Sequence, residues 1–76
     1  GPGWRRKRAG RGFAYYDTDG TLIKDERLDR LRSLAIPPAW QDVWICPSPT
    51  GHIQATGVDA AESRQYREHG QWRARR

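Results

Sequence analysis

The sequence predicts an α+β fold: a five-stranded antiparallel β-sheet with one main amphipathic helix, and with a second short helix as an option. Two observations lead to this prediction. Short segments rich in β-branched and aromatic residues alternate with clusters of turn-forming residues, which is typical of antiparallel sheets. One segment, residues 26–35, has instead the three- and four-residue apolar spacing of a helix. The length of 76 residues suits one domain, and the apolar fraction of 36% allows only a modest core.

The chain begins with a basic segment that is followed by β-prone residues. Residues 1–11 have no apolar periodicity and are predicted to be a flexible basic arm, in which residues 1–3 resemble the remnant of a cloning tag. Residues 12–17 and 21–24 flank Asp19-Gly20, a dipeptide that favours a tight hairpin turn. The sequence therefore predicts a first hairpin from these two segments.

The main helix is predicted over residues 26–35. Its leucines lie on one side, and its charged residues, the arginines included, form the solvated side. Asp25 is the expected N-cap, and Pro37-Pro38 ends the helix because the residue before a proline avoids the α conformation. The leucines need an apolar partner, so the helix should cover one face of the sheet and leave the other face free for a ligand.

The second half of the chain predicts another hairpin and a fifth strand. Residues 42–46 and 52–56 are β-prone and enclose a loop of Pro, Ser, Thr and Gly. Residues 64–69 are compatible with a fifth strand, whereas residues 60–67 are also compatible with a helix. Both alternatives remain open at this point.

Basic residues are concentrated at the two ends of the chain. Residues 1–12 hold five basic side chains and no acidic one, residues 64–76 hold five against one acid, and residues 13–63 hold four against eight. All but one of the basic residues in these end segments are arginines, whose planar and permanently charged group suits phosphate. The charge pattern predicts a polyanionic partner, with DNA or RNA first among the candidates.

No catalytic centre is predicted within this chain. Cys46 and His52 are too few to hold zinc, and Cys46 in an apolar strand is expected to be a small buried hydrophobe. The acids near the turn and the helix start are explained by local hydrogen bonds to the backbone. We therefore expect no metal, no cofactor and no enzyme activity of the fragment itself. A single cysteine fits a reducing cytoplasm, and without a run of about 18 apolar residues we expect no membrane partner.

The segment Arg64-Gln65-Tyr66-Arg67 is the one best suited to contact DNA. Glutamine can make two hydrogen bonds to an adenine edge, tyrosine offers a ring and a hydroxyl group, and the arginines can neutralise phosphates. In a strand, Gln65 and Arg67 point to one side while Arg64 and Tyr66 point to the other. All four can serve one ligand only if the segment lies at an edge or at an irregular end of the sheet.

A resemblance to a known family sharpens this prediction. Residues 36–47 (IPPAWQDVWICP), 51–59 (GHIQATGVD) and 64–67 (RQYR) resemble the N-terminal domain of bacterial type IB DNA topoisomerases and, more distantly, the poxvirus enzyme. Gly10-Arg11-Gly12-Phe13 with Tyr15 is similar to the entry strand of that family, so the resemblance covers roughly residues 5–76. It implies a five-stranded antiparallel sheet with short helices.

The resemblance also implies a role in a two-domain clamp around duplex DNA. This domain would be the smaller jaw over the major groove, and the Gln-Tyr pair that contacts DNA in the viral relatives carries over to Gln65 and Tyr66. The nucleophilic tyrosine and its supporting residues belong to the C-terminal catalytic domain of the same polypeptide. We accordingly expect a domain over residues 12–70, a linker over 71–76, and a monomer in the bacterial cytoplasm, at the nucleoid.

The chain departs from the family pattern in the segment that leads into the Gln-Tyr pair and just after it. Glu62 and Ser63 stand where relatives usually have a glycine and a basic residue, and Glu68 replaces the second aromatic residue of a Tyr-x-Tyr motif. An acid at the last position repels phosphate.

The predicted DNA-binding residues combine the basic ends with the fifth strand: Arg5, Arg6, Lys7, Arg8, Arg11, Arg64, Gln65, Tyr66, Arg67 and His69.

Two other functions remain as alternatives. One is a protein-interaction module that uses Trp40, Trp44 and Trp72 as anchors. The other is an RNA-binding domain of the ribosomal type.

Overall fold

The computed structural model describes residues 2–69. Five strands form one sheet in the order β2-β1-β3-β4-β5, and every pair of neighbouring strands is antiparallel. The elements in chain order are β1 Trp4–Ala9, β2 Gly12–Tyr16, α1 Arg27–Leu34, β3 Gln41–Ile45, β4 Ile53–Val58 and β5 Arg64–Glu68. The predicted α+β fold with a five-stranded antiparallel sheet and one main helix is confirmed, and residues 2–69 contain no second α-helix.

Strand β1 shows that the prediction of a flexible arm over residues 1–11 was wrong. Trp4–Ala9 lies between β2 and β3: residues 5–9 pair with β2, and Trp4 and Arg5 pair with β3. The first hairpin is therefore β1–β2, and it turns at Gly10, whose φ of 56° lies in the left-handed region. Basic side chains on both faces of β1 hide the strand from a search for alternating apolar and polar residues.

The predicted hairpin of residues 12–17 with 21–24 reduces to a turn with one bridge. The amide of Gly20 donates to the carbonyl of Asp17 at 2.9 Å, so the Asp-Gly signal did mark a turn. After the turn, only Leu22 pairs with the preceding strand, as an isolated bridge to Tyr16. Residues 21–24 therefore flank the edge of β2 without forming a strand of their own.

The core lies between α1 and one face of the sheet. Leu31 and Leu34 of α1 are buried, as predicted, and Ile45 and Ala55 are 0% exposed. The buried apolar cluster as a whole comprises Trp4, Ile23, Leu31, Leu34, Ile36, Val43, Ile45 and Ala55. Because α1 covers this face, the opposite face of the sheet is left uncovered by any element among residues 2–69.

The ends of α1 follow the sequence signals with small shifts. Glu26 is the residue at the N-cap position and makes no side-chain cap, but the Asp25 carboxylate accepts a hydrogen bond from the amide of Arg27 at 3.0 Å. At the other end, Ala35 adopts the left-handed conformation and its amide donates to the carbonyl of Arg32 at 3.1 Å. The helix thus ends before Pro37-Pro38, as expected.

Arg30 departs from the prediction that the helix arginines are solvated. Its guanidinium group donates hydrogen bonds to the side chain of Gln54 and to the carbonyl of Cys46. Gln54, only 1% exposed, donates in turn to the carbonyls of Ser48 at 3.0 Å and Gly51 at 2.7 Å. Burial lowers the pKa of Arg30 from its ordinary value. This network ties α1 to the loop between β3 and β4.

The second hairpin is confirmed as β3–β4, and the segment after it is a strand. The register between β3 and β4 shifts between Gln41 and Trp44, where Asp42 has a φ of 53°. Residues 64–68 pair with β4, which decides the alternative between strand and helix in favour of a strand. β5 stands at one edge of the sheet and β2 at the other. The described part of the chain contains no helix long and apolar enough to cross a membrane.

Candidate nucleic-acid interface

The register of the strands divides the side chains of the sheet between two faces. Directly paired residues share a face, and Arg5 pairs with Tyr16 and with Trp44, while Thr56 pairs with Trp44 and with Tyr66. Side chains alternate along each strand, so Lys7 and Arg64 join the same face. We call this uncovered surface the open face; it is formed by Arg5, Lys7, Tyr16, Trp44, Thr56, Arg64 and Tyr66. The face that packs against α1 is the covered face.

The open face combines basic and aromatic side chains. Arg5, Lys7 and Arg64 are exposed. Two depressions share Arg5 in their lining: one is also lined by Lys7, Tyr16 and Asp17, and the other by Trp44, Arg64 and Asp42. The ammonium group of Lys7 lies 5.5 Å from the centre of the Tyr16 ring. This surface offers positive charge for phosphates next to flat rings.

Trp44 is half-buried because the chain before β1 lies against it. A Cβ atom at Gly3 would collide with the indole ring, so only glycine allows this approach. Of the other predicted tryptophan anchors, Trp40 is half-buried and packs against the core, and Trp72 lies outside the described residues.

The four residues of the Arg-Gln-Tyr-Arg segment project alternately from β5. Tyr66, with 52% of its surface exposed, and Arg64 point to the open face. Gln65 and Arg67 point to the covered face, where the Gln65 amide donates to the Asp59 carboxylate at 2.9 Å and Arg67 donates to the carbonyl of Ala35 at 3.1 Å. Since β5 is an edge strand, both sets flank the same free edge, as a common ligand would require.

Arg6 and Arg8, two of the predicted DNA-binding arginines of β1, lie on the covered face. Arg6 donates to the carbonyls of Ile36 at 3.3 Å, Pro37 at 3.0 Å and Trp40 at 3.0 Å. Its guanidinium group also lies 4.0 Å from the centre of the Phe13 ring. The structure therefore uses Arg6 to hold the segment between α1 and β3.

Arg8, Arg11 and His69 lie at the margins of the sheet. Arg8 is exposed, 5.0 Å from the centre of the Phe13 ring, and the exposed Arg11 follows it in the β1–β2 turn. His69 follows β5, and its amide donates to the carbonyl of His52 at 2.7 Å. The structure thus brings Arg5, Lys7, Arg64 and Tyr66 together on one face, but not the other predicted residues.

Glu68, the acid at the aromatic position of the family pattern, has a basic neighbour across the strand pair. Its carboxylate lies 3.6 Å from Nε2 of His52, near the end of β5 away from the β4–β5 turn. Where His52 is protonated, it offsets the negative charge of Glu68.

Asp59 is a residue of this region that the sequence alone did not single out. It follows β4 directly, and its carboxylate binds the β4–β5 turn as well as Gln65. The backbone amide of Ser63 and then the side chain of Gln65 lower the pKa of Asp59 from its ordinary value. An aspartate just before a turn is the available signal, but it predicts local backbone bonding and not the contact with Gln65.

Within residues 2–69, no three side chains of His, Cys, Asp and Glu come together in a way that would hold a metal ion. The single cysteine, Cys46, is half-buried and free. The open face offers charged groups, hydrogen-bonding groups and aromatic rings.

Comparison with known proteins identifies the family of this chain. The profile of the family "Bacterial DNA topoisomerase IB, N-terminal domain" matches residues 12–59, which include β2, α1, β3 and β4. A DNA topoisomerase 1B from Acanthamoeba polyphaga mimivirus is 38% identical over 63 residues, which are 82% of this chain and 19% of the viral protein. This chain therefore spans less than a quarter of that relative. Because the profile matches more than half of the sequence, the chain belongs to the family of N-terminal domains of bacterial type IB DNA topoisomerases.

Proposed function

We propose that this chain is the DNA-binding clamp domain of a type IB topoisomerase and that it lies on the major-groove side of duplex DNA. The main support is the position of Tyr66, which is 52% exposed on an edge strand with Arg64 on its own side and Gln65 on the other. A major groove admits a two-stranded β-ribbon. The hairpin of β4 and β5, with the edge of β5 unpaired, has the form of such a ribbon.

The basic residues of β1 are placed to contact phosphates while β5 occupies the groove. β3 and β4 separate β1 from β5, so the two strands are about 14 Å apart at the usual strand spacing. This distance is close to the roughly 12 Å width of the major groove. In this arrangement Arg5 and Lys7 reach the sugar-phosphate backbone along one rim of the groove.

Within residues 64–67 of β5, some side chains then contact DNA phosphates and others contact DNA bases. Arg64 and Arg67 neutralise phosphate charge, which positions the protein without reading sequence. Gln65 offers an amide to a base edge, and Tyr66 offers its ring and its hydroxyl group. Arg6, which is bound to three backbone carbonyls, is assigned a structural role instead.

The reaction itself is assigned to a C-terminal catalytic domain of the same polypeptide. That domain would nick one DNA strand through a phosphotyrosyl link, allow supercoils to relax, and religate the strand, while this domain closes the clamp from the other side. The proposal includes action as a monomer at the bacterial nucleoid, with no cofactor bound by this domain.

A titration of the chain with duplex DNA, followed by amide chemical shifts, tests the proposal. We expect the largest shifts at Arg5, Lys7 and residues 64–67. Shifts confined to α1, or the same affinity for a neutral polymer, would overturn it. Binding to structured RNA that is tighter than binding to duplex DNA at the same salt concentration would favour the RNA-binding alternative.

A further inference from the structure

The Asp59 carboxylate divides its two oxygen atoms between two tasks. Oδ1 accepts hydrogen bonds from the backbone amides of Ala61 and Ser63, both at 2.9 Å. Oδ2 accepts a hydrogen bond from Nε2 of Gln65, also at 2.9 Å. The turn between β4 and β5 and the side chain of Gln65 are therefore fixed by the same residue.

The contact with Asp59 determines which way round the Gln65 amide lies. An ionised carboxylate only accepts hydrogen bonds, so the nitrogen of the amide, and not its oxygen, must face Asp59. The amide has two N–H groups, and only one is used in this bond. The oxygen Oε1 and the second N–H remain available, and these are the acceptor and the donor that bind N6 and N7 of adenine.

We infer that Asp59 is a positioning residue that holds the Gln65 amide in the orientation that recognises an adenine edge in the major groove; this inference rests on the proposed function. A glutamine on an exposed edge strand would otherwise rotate freely, and half of its amide orientations would present a donor where an acceptor is needed. The charged form of Asp59 is favoured by the two groups of contacts it already makes, through Ser63 and Gln65.

The substitution Asp59→Asn separates positioning from turn stability. The oxygen of the substituted side chain can still accept from the amides of Ala61 and Ser63, but an NH₂ group now faces Gln65. The Gln65 amide should then rotate so that its oxygen faces this NH₂ group, which removes the outward acceptor.

We expect Asp59→Asn and Gln65→Ala each to lower the preference for a site containing adenine over the same site with a G·C pair by about tenfold, while affinity for unrelated duplexes changes little. In the Gln65→Ala background, Asp59→Asn should have no further effect on this preference. Asp29→Asn removes one charge from the exposed side of α1 and serves as the matched control, with an unchanged base preference.

The free chain provides a second measurement that needs no variant. One Gln65 side-chain amide proton should exchange more slowly with solvent than those of Gln41, which is exposed at the start of β3. This measurement decides the case if the Asp59→Asn chain does not fold, because equal exchange at the two glutamines would overturn the inference.

The outcomes for this inference and for the proposed function are distinct. If Gln65→Ala lowers the adenine preference and Asp59→Asn leaves it intact, the positioning role is wrong and the clamp function stands. If the unmodified chain does not bind duplex DNA, the clamp function fails and the inference falls with it.

Discussion

The guanidinium group of Arg6 donates a hydrogen bond to the backbone carbonyl of Trp40 at 3.0 Å, which joins β1 to a segment more than thirty residues further along the chain. The same group also binds the carbonyls of Ile36 and Pro37. In a chain that is rich in exposed arginines, this one is part of the framework. The contrast with its neighbours on β1 leads to the first prediction.

Arg6→Ala should lower the free energy of unfolding by about 2 kcal/mol, because three carbonyls lose a charged donor. Arg8→Ala, on the same strand and face, should change it by less than about 0.5 kcal/mol, since Arg8 is exposed and donates no described hydrogen bond. Urea denaturation of both variants measures the difference. Equal effects would show that the Arg6 contacts do not stabilise the fold.

The open face predicts a specific dependence of DNA binding on salt. Replacing Arg5 and Lys7 together by alanine should lower the slope of log affinity against log salt concentration by about 2, since each lost phosphate contact contributes roughly 0.9. Arg32→Ala, on the exposed side of α1, should leave the slope unchanged. Fluorescence anisotropy with a labelled duplex at several salt concentrations gives these slopes. An equal fall in slope for Arg32→Ala would show that the slope depends on the net charge of the chain and not on phosphate contacts of the open face.

Tyr66 and Leu22 form a matched pair for testing β5. They are the two exposed large apolar residues among residues 2–69, with 52% and 41% of their surfaces accessible. Tyr66→Ala should weaken duplex binding by about tenfold with little loss of stability, since an exposed side chain contributes little to the core. Leu22→Ala should leave DNA affinity unchanged. Equal affinities for the two variants would remove β5 from the interface.

The ion pair at the start of α1 predicts a dependence of stability on pH. Hydrogen bonds from the Arg27 side chain, at 2.8 Å, are the main cause that lowers the pKa of Asp25 from 3.8 to about 2. Since the folded state holds this proton less tightly than the unfolded state, the contribution of Asp25 is complete above about pH 4 and is lost as the pH falls towards 2. Asp25→Asn should flatten the decline in stability across this window.

Urea denaturation at a series of pH values measures this effect, and Arg27→Ala provides its control. Without the guanidinium group, Asp25→Asn should change the pH dependence much less. If Asp25→Asn has the same effect in both backgrounds, then Arg27 is not the cause of the lowered pKa.

Local patterns in the sequence were sufficient to predict much of this fold. The spacing of leucines predicted α1, and β-branched runs around a loop of turn formers predicted β3 and β4. Alternation along a strand also separates Gln65 and Arg67 from Arg64 and Tyr66, whatever the position of β5 in the sheet. These features depend on neighbouring residues only, which is why they could be predicted.

Contacts between distant segments account for what the sequence did not reveal. The role of Arg6 depends on carbonyls of residues 36, 37 and 40, and that of Arg30 on the distant residues Cys46 and Gln54. β1 has too few apolar residues to be recognised as a strand from its own sequence. It forms a strand because it pairs with β2 and β3. The strand at residues 64–68 was decided by its pairing with β4, since its composition suits either structure.

The place of β1 in the sheet has a consequence for how the chain reaches its folded state. Trp4 pairs with Ile45, so β1 can pair with β3 only after about forty further residues have been synthesised. Shortening the chain to the profile-matched residues 12–59 would remove both β1 and β5. Without β1, β2 loses its partner and β3 exposes an unpaired edge, the kind of surface through which chains aggregate. An expression fragment of this domain should therefore start before Trp4.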